Sequence, residues 1–432
     1  MNPCIHQLPY KDPCDIAIFL QKSGFTHIVF LDSSNSPQHP AAKFSILCAN
    51  PAQQNSLHTN NKQQIINTIE PLQRTIPKHD GPLPFYGGTI SAISYPDKNG
   101  NIDLITHLYT WAFIFDHSCN ITSLVHWPEF SSDTQERLIS IYSTAPIKPK
   151  TAGTEESLSF KPSWTKNEYT SAFNTIKNYI TSGDTYQINL TQQFTAKLPE
   201  TYNPLKKFTQ LSRLAKAPFS AYFESENTIL MSASPERFIE ISQDKIRTQP
   251  IKGTRKRHDT PALDAKAIEE LKSSIKDRAE NLMIVDLLRN DLGISSETGS
   301  VEVEGLFNIE SFGTVHHMVS TINSKLRQGT SPFKAIIDAF PGGSITGAPK
   351  KRAMEIINEV EPSNRGFYCG CLMYKSGEKL DSNILIRTFE INKKDKTIEV
   401  WGGGGIVADS ELESEYQESL DKISRLIDSI KD

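Results

Sequence analysis

Short runs in which apolar and polar residues alternate recur along the chain, and each run predicts a β-strand. Alternation is strict over residues 186–191, and further short β-patterned runs follow at 219–223, 228–231, 238–241 and 245–248. Strands this short and this closely spaced are typical of antiparallel sheets rather than βαβ units. Helical patterns separate the groups of strands. We therefore predict an α+β fold in which helices lie outside antiparallel sheets.

Two helices carry start signals that can be read from the chain. Thr165 and Glu168 form a capping-box pattern ahead of an apolar helical stripe that ends at Gly183. Ser410 and Glu413 form the same pattern ahead of the closing helix. The apolar stripe of the closing helix advances in steps of three and four residues, through Leu412, Tyr416, Leu420, Ile423, Ile427 and Ile430.

The first 150 residues differ in composition from the rest of the chain. They are rich in Pro, Ser, Asn, Gln and His, and they show isolated β-like runs without a charged cluster that suggests chemistry. We predict a mostly β N-terminal region over residues 1–150 with a structural or effector-binding role. A polar linker is predicted at 147–159, ahead of a catalytic region over residues 160–430.

Composition and charge exclude several classes of protein. The 432 residues carry a net charge of −4, so the chain has no global attraction to nucleic acid or anionic lipid. No apolar run approaches the roughly 20 residues that span a bilayer. We expect neither a nucleic-acid partner nor a membrane partner. The six cysteines lack paired spacing and no secretory signal pattern is visible, which predicts a reducing cytoplasm.

The closing helix carries a row of charges on one face. Glu411, Glu415, Glu418 and Lys422 recur at intervals of four, three and four residues. A solvated polar face is the ordinary interpretation of such a row. However, like charges at this spacing repel each other, and a hard cation such as Mg²⁺ would relieve the repulsion. Both interpretations stay open on these residues alone.

One lysine stands between two residues that control the backbone. Lys252 follows Pro250 and precedes Gly253, downstream of the predicted strands. A lysine flanked by proline and glycine in this way is typical of a solvated turn. It also suits a lysine whose neutral amine acts as a nucleophile, because a stiff and then a permissive backbone can fix the side chain. The chain offers both a structural and a catalytic hypothesis here.

A further helical pattern and a histidine pair supply other candidate groups. The helical pattern runs from residue 261 to about 290 and carries Glu280 one turn after Lys276. Such an exposed pair stabilises a helix by only about 0.2–0.5 kcal/mol, so a structural role is the default. His316 and His317 fall on opposite faces of a β-pattern, so at most one of them faces a given site. That histidine would suit proton transfer near neutral pH.

Glycine-rich loops and an isolated arginine favour a carboxylate-bearing small molecule over a nucleotide. Residues 342–349 have glycines at P-loop spacing, but Ala348 stands where the lysine is required. Residues 402–407 lack the third glycine of a dinucleotide fingerprint and lead into no βαβ unit. The free N–H groups of such loops and the guanidinium group of Arg387 are suited to binding carboxylates.

Together these stretches resemble the chorismate-utilising enzymes. The resemblance is strong over residues 160–425 and loose over the first 150. It is carried, in the family's order, by residues 183–187 (GDTYQ), 234–238 (SPERF), 250–254, 277–291, 317–320, 342–350, 365–368 (RGFY), 386–388 (IRT) and 403–418. The resemblance implies a large antiparallel β-sandwich core flanked by helices.

The resemblance also implies a role for each matching position and Mg²⁺ as the cofactor. The implied metal ligands, which hold the substrate's ring carboxylate, are Glu280, Glu415 and Glu418. The implied substrate-binding residues are Gln187, Thr346, Tyr368, Arg387, Gly404, Gly405 and Lys422. The implied catalytic residues are Lys252, Glu236 and His317. Of these, Glu236 resembles the general acid or base near the C4 hydroxyl of chorismate.

Two positions separate the activities within the family. Members that add water to C2 of chorismate carry a lysine base where Gln187 stands, so the resemblance disfavours water addition. Anthranilate-forming members share the glutamine but usually carry alanine where Lys252 stands. A lysine there resembles the members that aminate chorismate at C4. An anthranilate-forming subunit and a non-catalytic chorismate-binding subunit are kept as alternatives.

The resemblance implies partners and shows two departures. Chorismate is the implied substrate, and ammonia is expected from a glutamine amidotransferase subunit because no glutaminase portion is recognisable here. A separate lyase is expected to act on the aminated product. Arg255 and Arg257 are candidate cations near Lys252. Lys256 and Met373 stand where a proline and a glycine are common in the family.

Overall fold

The computed structural model describes residues 2–34, 39, 42–146, 158–311 and 315–430. The linker predicted at 147–159 lies almost wholly outside the described residues. Elements are numbered in chain order. The helices of the described part are α1 Pro13–Lys22, α2 Lys62–Arg74, α3 Gln135–Thr144, α4 Lys166–Thr181, α5 Pro204–Ala215, α6 Pro261–Ser273, α7 Ile275–Gly293, α8 Pro332–Ala339, α9 Lys350–Val360 and α10 Leu412–Ile430.

Two large antiparallel sheets form the centre of the fold. The 12-stranded first sheet has the order β1 Cys4–Pro9, β8 Ile121–His126, β7 Trp111–Asp116, β3 Phe44–Cys48, β2 Val29–Asp32, β11 Phe219–Glu224, β12 Thr228–Ser234, β21 Thr388–Asn392, β22 Thr397–Ile406, β10 Gln187–Lys197 and β18 Gly347–Ala348, with β9 Lys161–Pro162 beside β10. The 10-stranded second sheet has the order β15 Ile251–Lys256, β17 Val315–Lys325, β14 Lys245–Thr248, β13 Arg237–Ser242, β20 Lys379–Ile384, β19 Cys371–Ser376, β5 Gly88–Ile93, β6 Ile102–Tyr109 and β4 Gln53–Thr59, with β16 Glu302–Ser311 beside β17.

The two sheets pack face to face, and helices cover their outer faces. The core between the sheets joins Val29 and Ile46 of the first sheet to Ile90 and Leu372 of the second. A second core lies under α1, α5 and α10, and a third lies under α2, α7 and α8. The prediction of an α+β fold with an antiparallel β-sandwich core flanked by helices is confirmed.

Strands from both ends of the chain share these sheets. β2 of the N-terminal region pairs with β11, and β5 pairs with β19. Residues 1–150 therefore contribute to the same two sheets as residues 160–430. The separate structural or effector-binding role of the N-terminal region stays a prediction.

The helical pattern from 261 to 290 forms two helices, where the sequence predicted one stretch. Ser274 has an extended backbone at φ −65° and ψ 106°, and its side chain accepts a hydrogen bond from Asp277 N–H. The Ser274 side chain in this way caps the first turn of α7. The chain therefore ends α6 at Ser273 and continues from Ile275 as a separate helix. The break matters for the site because it sets the direction of the helix that carries Glu280.

The two predicted capping boxes have different outcomes. The Thr165 and Glu168 box is present at the start of α4. Ser410 instead donates a 2.7 Å hydrogen bond to Glu415 Oε1. Glu415 is only 7% exposed, so its carboxylate requires a donor, and Ser410 supplies one. Ser410, just ahead of α10, therefore stabilises the buried Glu415 carboxylate.

Candidate active site

Lys252 lies on an edge strand beside a β-bulge, so the turn interpretation is wrong. β15 pairs only with β17 among the described strands, and its register shifts between Lys252 and Thr254. Gly253 between them has φ +74°, and a Cβ there would lie 2.9 Å from Asp277 Cγ and 2.8 Å from Leu271 Cδ1. Only glycine fits so strained and close an approach. Bulges of this kind re-aim neighbouring side chains and are common beside active sites.

Two carboxyl groups from different elements lie close enough to Lys252 to feel its charge. Burial raises the pKa of Glu236, while the charges of Lys252 and Arg387 and a 2.9 Å hydrogen bond from Ser344 Oγ act against the rise. Burial also raises the pKa of Glu280, again opposed first by Lys252. The structure therefore brings the predicted nucleophile, general acid and one predicted metal ligand to one place.

The glycine strand β22 and the acidic face of α10 form the adjoining wall. A Cβ at Gly404 would lie 3.2 Å from Glu415 Oε2 and 3.9 Å from both Glu418 Oε1 and Lys422 Nζ. Lys422 Nζ also donates a 2.9 Å hydrogen bond to the carbonyl oxygen of Gly403. The charges of α10 thus face bare backbone rather than only solvent. This placement favours the ligand-binding interpretation of the row.

Gln187 is buried with both amide atoms unpaired. It is 0% exposed, and neither Nε2 nor Oε1 has a hydrogen-bond partner among the described residues. A Cβ at Gly405 would lie 3.0 Å from Gln187 Nε2, so the amide faces the glycine strand. An unsatisfied buried polar group costs about 1–3 kcal/mol. A side chain that carries this cost in the free protein is suited to form hydrogen bonds with a bound ligand.

We expect Gln187→Met to raise stability and lower activity. Methionine fills a similar volume without polar atoms, so the free energy of unfolding should rise by about 1–2 kcal/mol. Denaturant unfolding measures the gain, and turnover of chorismate measures the loss. Gln192→Met is the control, because Gln192 is equally buried but donates a 2.6 Å hydrogen bond to Ser419 Oγ, so that variant should lose stability. A Gln187→Met variant less stable than the parent would contradict this account.

His317 lies near Arg387, and His316 lies on the other face of β17, as the β-pattern predicted for two successive residues. Burial and the charge of Arg387 lower the pKa of His317 to about 4, so its imidazole is neutral at neutral pH. His316 is fully buried on the other face, where Nε2 lies 2.8 Å from Asp264 Oδ1. Arg387 has φ +52°, a conformation that non-glycine residues rarely adopt and that occurs at functional sites.

Thr346 and Tyr368 are buried and already have protein contacts. Thr346 Oγ1 lies 3.0 Å from the carbonyl oxygen of Gly342, to which it donates. The ring of Tyr368 stacks on Trp401 at a centroid distance of 5.7 Å and an interplanar angle of 6°. Trp401 lies in β22 immediately before the glycines at 402–405, so this stack joins two predicted substrate-binding elements.

The candidate cations Arg255 and Arg257 are paired with carboxylates. Arg255 donates a 3.0 Å hydrogen bond to Asp277 Oδ2, and Arg257 donates a 3.3 Å bond to Asp264 Oδ2. Arg255 therefore ties β15 to α7, and Arg257, the residue after β15, ties the end of the strand to α6. Their positive charge is largely offset at those carboxylates.

The three predicted metal ligands do not form a closed cage. Among residues 2–34, 39, 42–146, 158–311 and 315–430, no three His, Cys, Asp or Glu side chains are gathered to hold a metal ion. The negative charge of Glu415 nevertheless adds to the burial that raises the pKa of Glu280, so α7 and α10 face each other here. Mg²⁺ takes one or two carboxylates together with water and substrate oxygens. Glu280, Glu415 and Glu418 fit a site of that open kind.

Ser344 is a site residue that the sequence reasoning missed. Its hydroxyl donates to Glu236 from the short 3₁₀ turn at Gly343–Ile345. A serine inside a glycine-rich loop is an ordinary turn residue, so nothing local marked it.

The described helices include none that is long and apolar enough to cross a membrane.

Comparison with known proteins agrees with this geometry. The family model described as "chorismate binding enzyme" matches residues 29–428. Aminodeoxychorismate synthase component 1 of Salmonella typhimurium is 36% identical over 456 residues, which cover 99% of this chain and 98% of that protein. Anthranilate synthase component 1 1 of Haloarcula marismortui is 41% identical over 272 residues, or 63% of this chain and 55% of that protein.

A solved structure has the same architecture. The crystal structure of anthranilate synthase component I from Streptococcus pneumoniae matches with a TM-score of 0.76 and 27% sequence identity, over 90% of this chain and 93% of that chain. The family match covers every predicted site residue and all strands of the two sheets except β1. On these grounds the chain belongs to the chorismate-binding enzyme family.

Proposed function

We propose that the chain aminates chorismate at C4 and forms 4-amino-4-deoxychorismate. The observation that carries the proposal is that the charge of Lys252 acts on two carboxyl groups from different elements, the buried Glu236 and Glu280. A lysine amine next to a carboxyl group of raised pKa has both a nucleophile and a proton donor at hand. Relatives named aminodeoxychorismate synthase component 1 match over nearly their whole length, which supports the same activity.

The proposed reaction has two displacements. The neutral Nζ of Lys252 attacks C2, the ring double bonds shift, and the C4–O bond breaks while Glu236 protonates the leaving hydroxyl to water. Ammonia then attacks C4, the double bonds shift back, and the C2–N bond breaks to release the Lys252 amine. The extra proton on the new C4 amine returns to the Glu236 carboxylate. The enolpyruvyl group stays on the ring throughout.

The surrounding residues would bind and orient the substrate. The residues assigned to its carboxylates, because they offer cations and N–H or O–H donors, are Arg387, Tyr368, Lys422 and the backbone of Gly404 and Gly405. Thr346 and the neutral His317 are assigned to the ring side. Mg²⁺ held by Glu280, Glu415 and Glu418 would supply the positive charge that neutralises the ring carboxylate.

Gln187 supports amination over water addition. Its amide cannot take a proton from water, so it cannot generate a hydroxide nucleophile as a lysine base would. Its unpaired Oε1 and Nε2 can still form hydrogen bonds with a bound molecule. We assign to Gln187 a substrate-binding role.

The proposal also assigns partners and a compartment. Ammonia is supplied by a glutamine amidotransferase subunit, consistent with the words "component 1" in the relatives' names. A separate aminodeoxychorismate lyase then acts on the product. All six cysteines are free, which agrees with a reducing cytoplasm. For residues 1–150 we retain a structural or effector-binding role.

Anthranilate synthesis is the second candidate function. It is favoured by the 41% identity to a relative named anthranilate synthase component 1 1, although the match covers 63% of the chain. Lys252 opposes it, and a non-catalytic binding subunit would not need Lys252, Glu236 and the carboxylates together. An assay with chorismate, Mg²⁺ and ammonium salt separates these functions. We expect 4-aminobenzoate only after aminodeoxychorismate lyase is added, whereas fluorescent anthranilate without lyase would refute the proposal.

Metal removal should abolish turnover reversibly. Glu280, Glu415 and Glu418 would place negative charge around the ring carboxylate of the substrate, and a cation would offset that charge. We therefore expect EDTA to stop the reaction and added Mg²⁺ to restore it. Glu418→Gln should raise the Mg²⁺ concentration needed for half-maximal rate about 10- to 100-fold. Glu413→Gln is the control, since Glu413 is on the same helix but pairs with Lys166 at 2.8 Å. Full activity in EDTA would exclude the metal site.

A further inference from the structure

One buried arginine contacts three elements that carry predicted substrate contacts. Arg365 is 2% exposed and precedes the turn that leads to Tyr368. Its Nη1 donates a 2.9 Å hydrogen bond to the carbonyl oxygen of Ile345, and its Nη2 donates a 2.7 Å bond to the carbonyl oxygen of Asn189. Its own carbonyl accepts a 3.0 Å bond from Tyr368 N–H.

Each of those carbonyls belongs to a neighbour of a site residue. Ile345 immediately precedes Thr346. Asn189 lies two residues after Gln187 on β10, and it pairs with Gly405 in the β10–β22 register. The guanidinium group therefore joins the glycine-rich loop, the Gln187 strand and the Tyr368 turn at a single point.

The arginine is itself held by a carboxylate and by an aromatic ring. Glu361 accepts bonds of 2.9 Å from Arg365 Nε and 2.7 Å from Nη2. The same carboxylate accepts 2.9 Å bonds from the N–H and the hydroxyl of Thr191, which also lies on β10. The guanidinium plane lies 4.7 Å from the ring centroid of Tyr95. A paired and stacked guanidinium group has little freedom to move.

We propose that Arg365 is a positioning residue for the substrate pocket, which fixes Thr346, Gln187 and Tyr368 relative to one another through its bonds to Ile345, Asn189 and the Tyr368 turn. The inference rests on the proposed function only in treating these three residues as substrate contacts. Arg365 touches no reacting atom. Its effect is to keep three separate chain segments in one arrangement, so that substrate binding does not have to order them.

The fork shape of the side chain makes the proposal testable. A lysine at 365 keeps the positive charge beside Glu361, but one ammonium group cannot reach both carbonyls and both carboxylate oxygens. Arg365→Lys should therefore preserve the charge pair and lose the positioning. We expect the dissociation constant for chorismate to rise about 10- to 100-fold, as when residues that orient ligand-contacting groups are changed.

Arg137→Lys is the matched control for this exchange. Arg137 also pairs with a buried carboxylate, Asp133, and lies over an aromatic ring, Phe25, at 4.8 Å. It lies on α3, outside the site. Both variants should melt at a lower temperature than the parent. Only Arg365→Lys should weaken chorismate binding, measured by calorimetry with Mg²⁺ and without ammonia, at a temperature where both variants are folded. Both variants and their parent carry Lys252→Ala in this measurement, so that no covalent adduct forms and the constant reports binding alone.

The outcomes separate this inference from the proposed reaction. Binding without ammonia does not depend on which amine product forms, so anthranilate synthesis would refute the function and leave this test intact. An Arg365→Lys variant that loses stability but binds chorismate within about twofold of the parent would refute positioning. If Arg365→Lys does not fold, chorismate binding is measured in Glu361→Gln instead. That variant removes the negative charge paired with Arg365 and keeps one oxygen acceptor for its hydrogen bonds. Its dissociation constant should rise, and an unchanged constant would refute the inference.

Discussion

Lys252→Ala is expected to abolish the covalent adduct with chorismate and to lower the amination rate about 10³-fold or more. The strand β15 is held by backbone pairing with β17, which does not involve the lysine amine, so the variant should fold normally. A 10³-fold loss corresponds to about 4 kcal/mol of transition-state stabilisation. Intact-mass analysis after rapid quenching measures the adduct, and a lyase-coupled assay measures the rate.

Lys256→Ala supplies the control for that prediction. Lys256 lies on the same strand, is exposed, and pairs with Val315 beyond the bulge. Its removal should leave both adduct and rate within about twofold of the parent, since exposed substitutions away from a site have small effects. An adduct that persists in Lys252→Ala would assign the nucleophile to another residue. Retention of the full rate would remove covalent catalysis from the account.

Glu236→Gln is expected to lower the rate about 10²- to 10⁴-fold, the range that general acid catalysis contributes. Only a protonated carboxyl group can give its proton to the leaving C4 hydroxyl. Burial holds the pKa of Glu236 above its ordinary value, so the protonated fraction falls as the pH rises through that raised pKa. The rate should decline on that alkaline limb. A pH–rate profile of the parent and of Glu236→Gln checks this, since the variant should lose the limb.

Ser344→Ala tests the same carboxyl group without removing it. The Ser344 hydroxyl donates to Glu236 Oε1 and stabilises the charged form, so its loss should raise the pKa of Glu236 further. The alkaline limb should move to higher pH. A limb that stays in place in Ser344→Ala and in Glu236→Gln would show that another group controls the profile.

Local pattern was enough to predict much of the strand structure. The runs predicted at 219–223, 228–231, 238–241 and 245–248 lie within β11 to β14. Only β14 alternates strictly between buried and exposed positions, whereas the interiors of β11 and β12 are buried on both faces. The capping box at Thr165 could also be predicted, because the two residues that form it lie only three positions apart in the sequence. The grouping of the site residues came from the resemblance, and the structure places Glu236, Glu280 and Arg387 in one electrostatic neighbourhood.

Features set by distant partners could not be read from the chain. The bulge beside Lys252 exists only when β15 pairs with β17, and the turn interpretation followed from Pro250 and Gly253 alone. Ser410 looked like a helix cap because the burial of Glu415, which redirects its hydroxyl, depends on tertiary packing. Arg365 carries no local signal, since its bond to Asn189 spans 176 residues.

The central claim is that ammonia enters at C4 while the enolpyruvyl group stays on the ring. Mass analysis of the product from chorismate, Mg²⁺ and ¹⁵N-ammonium, made without any lyase, tests it most directly. The account predicts a product that contains one ¹⁵N and the intact three-carbon side chain, with no pyruvate released. Release of pyruvate in step with a ¹⁵N-labelled aromatic product would contradict it.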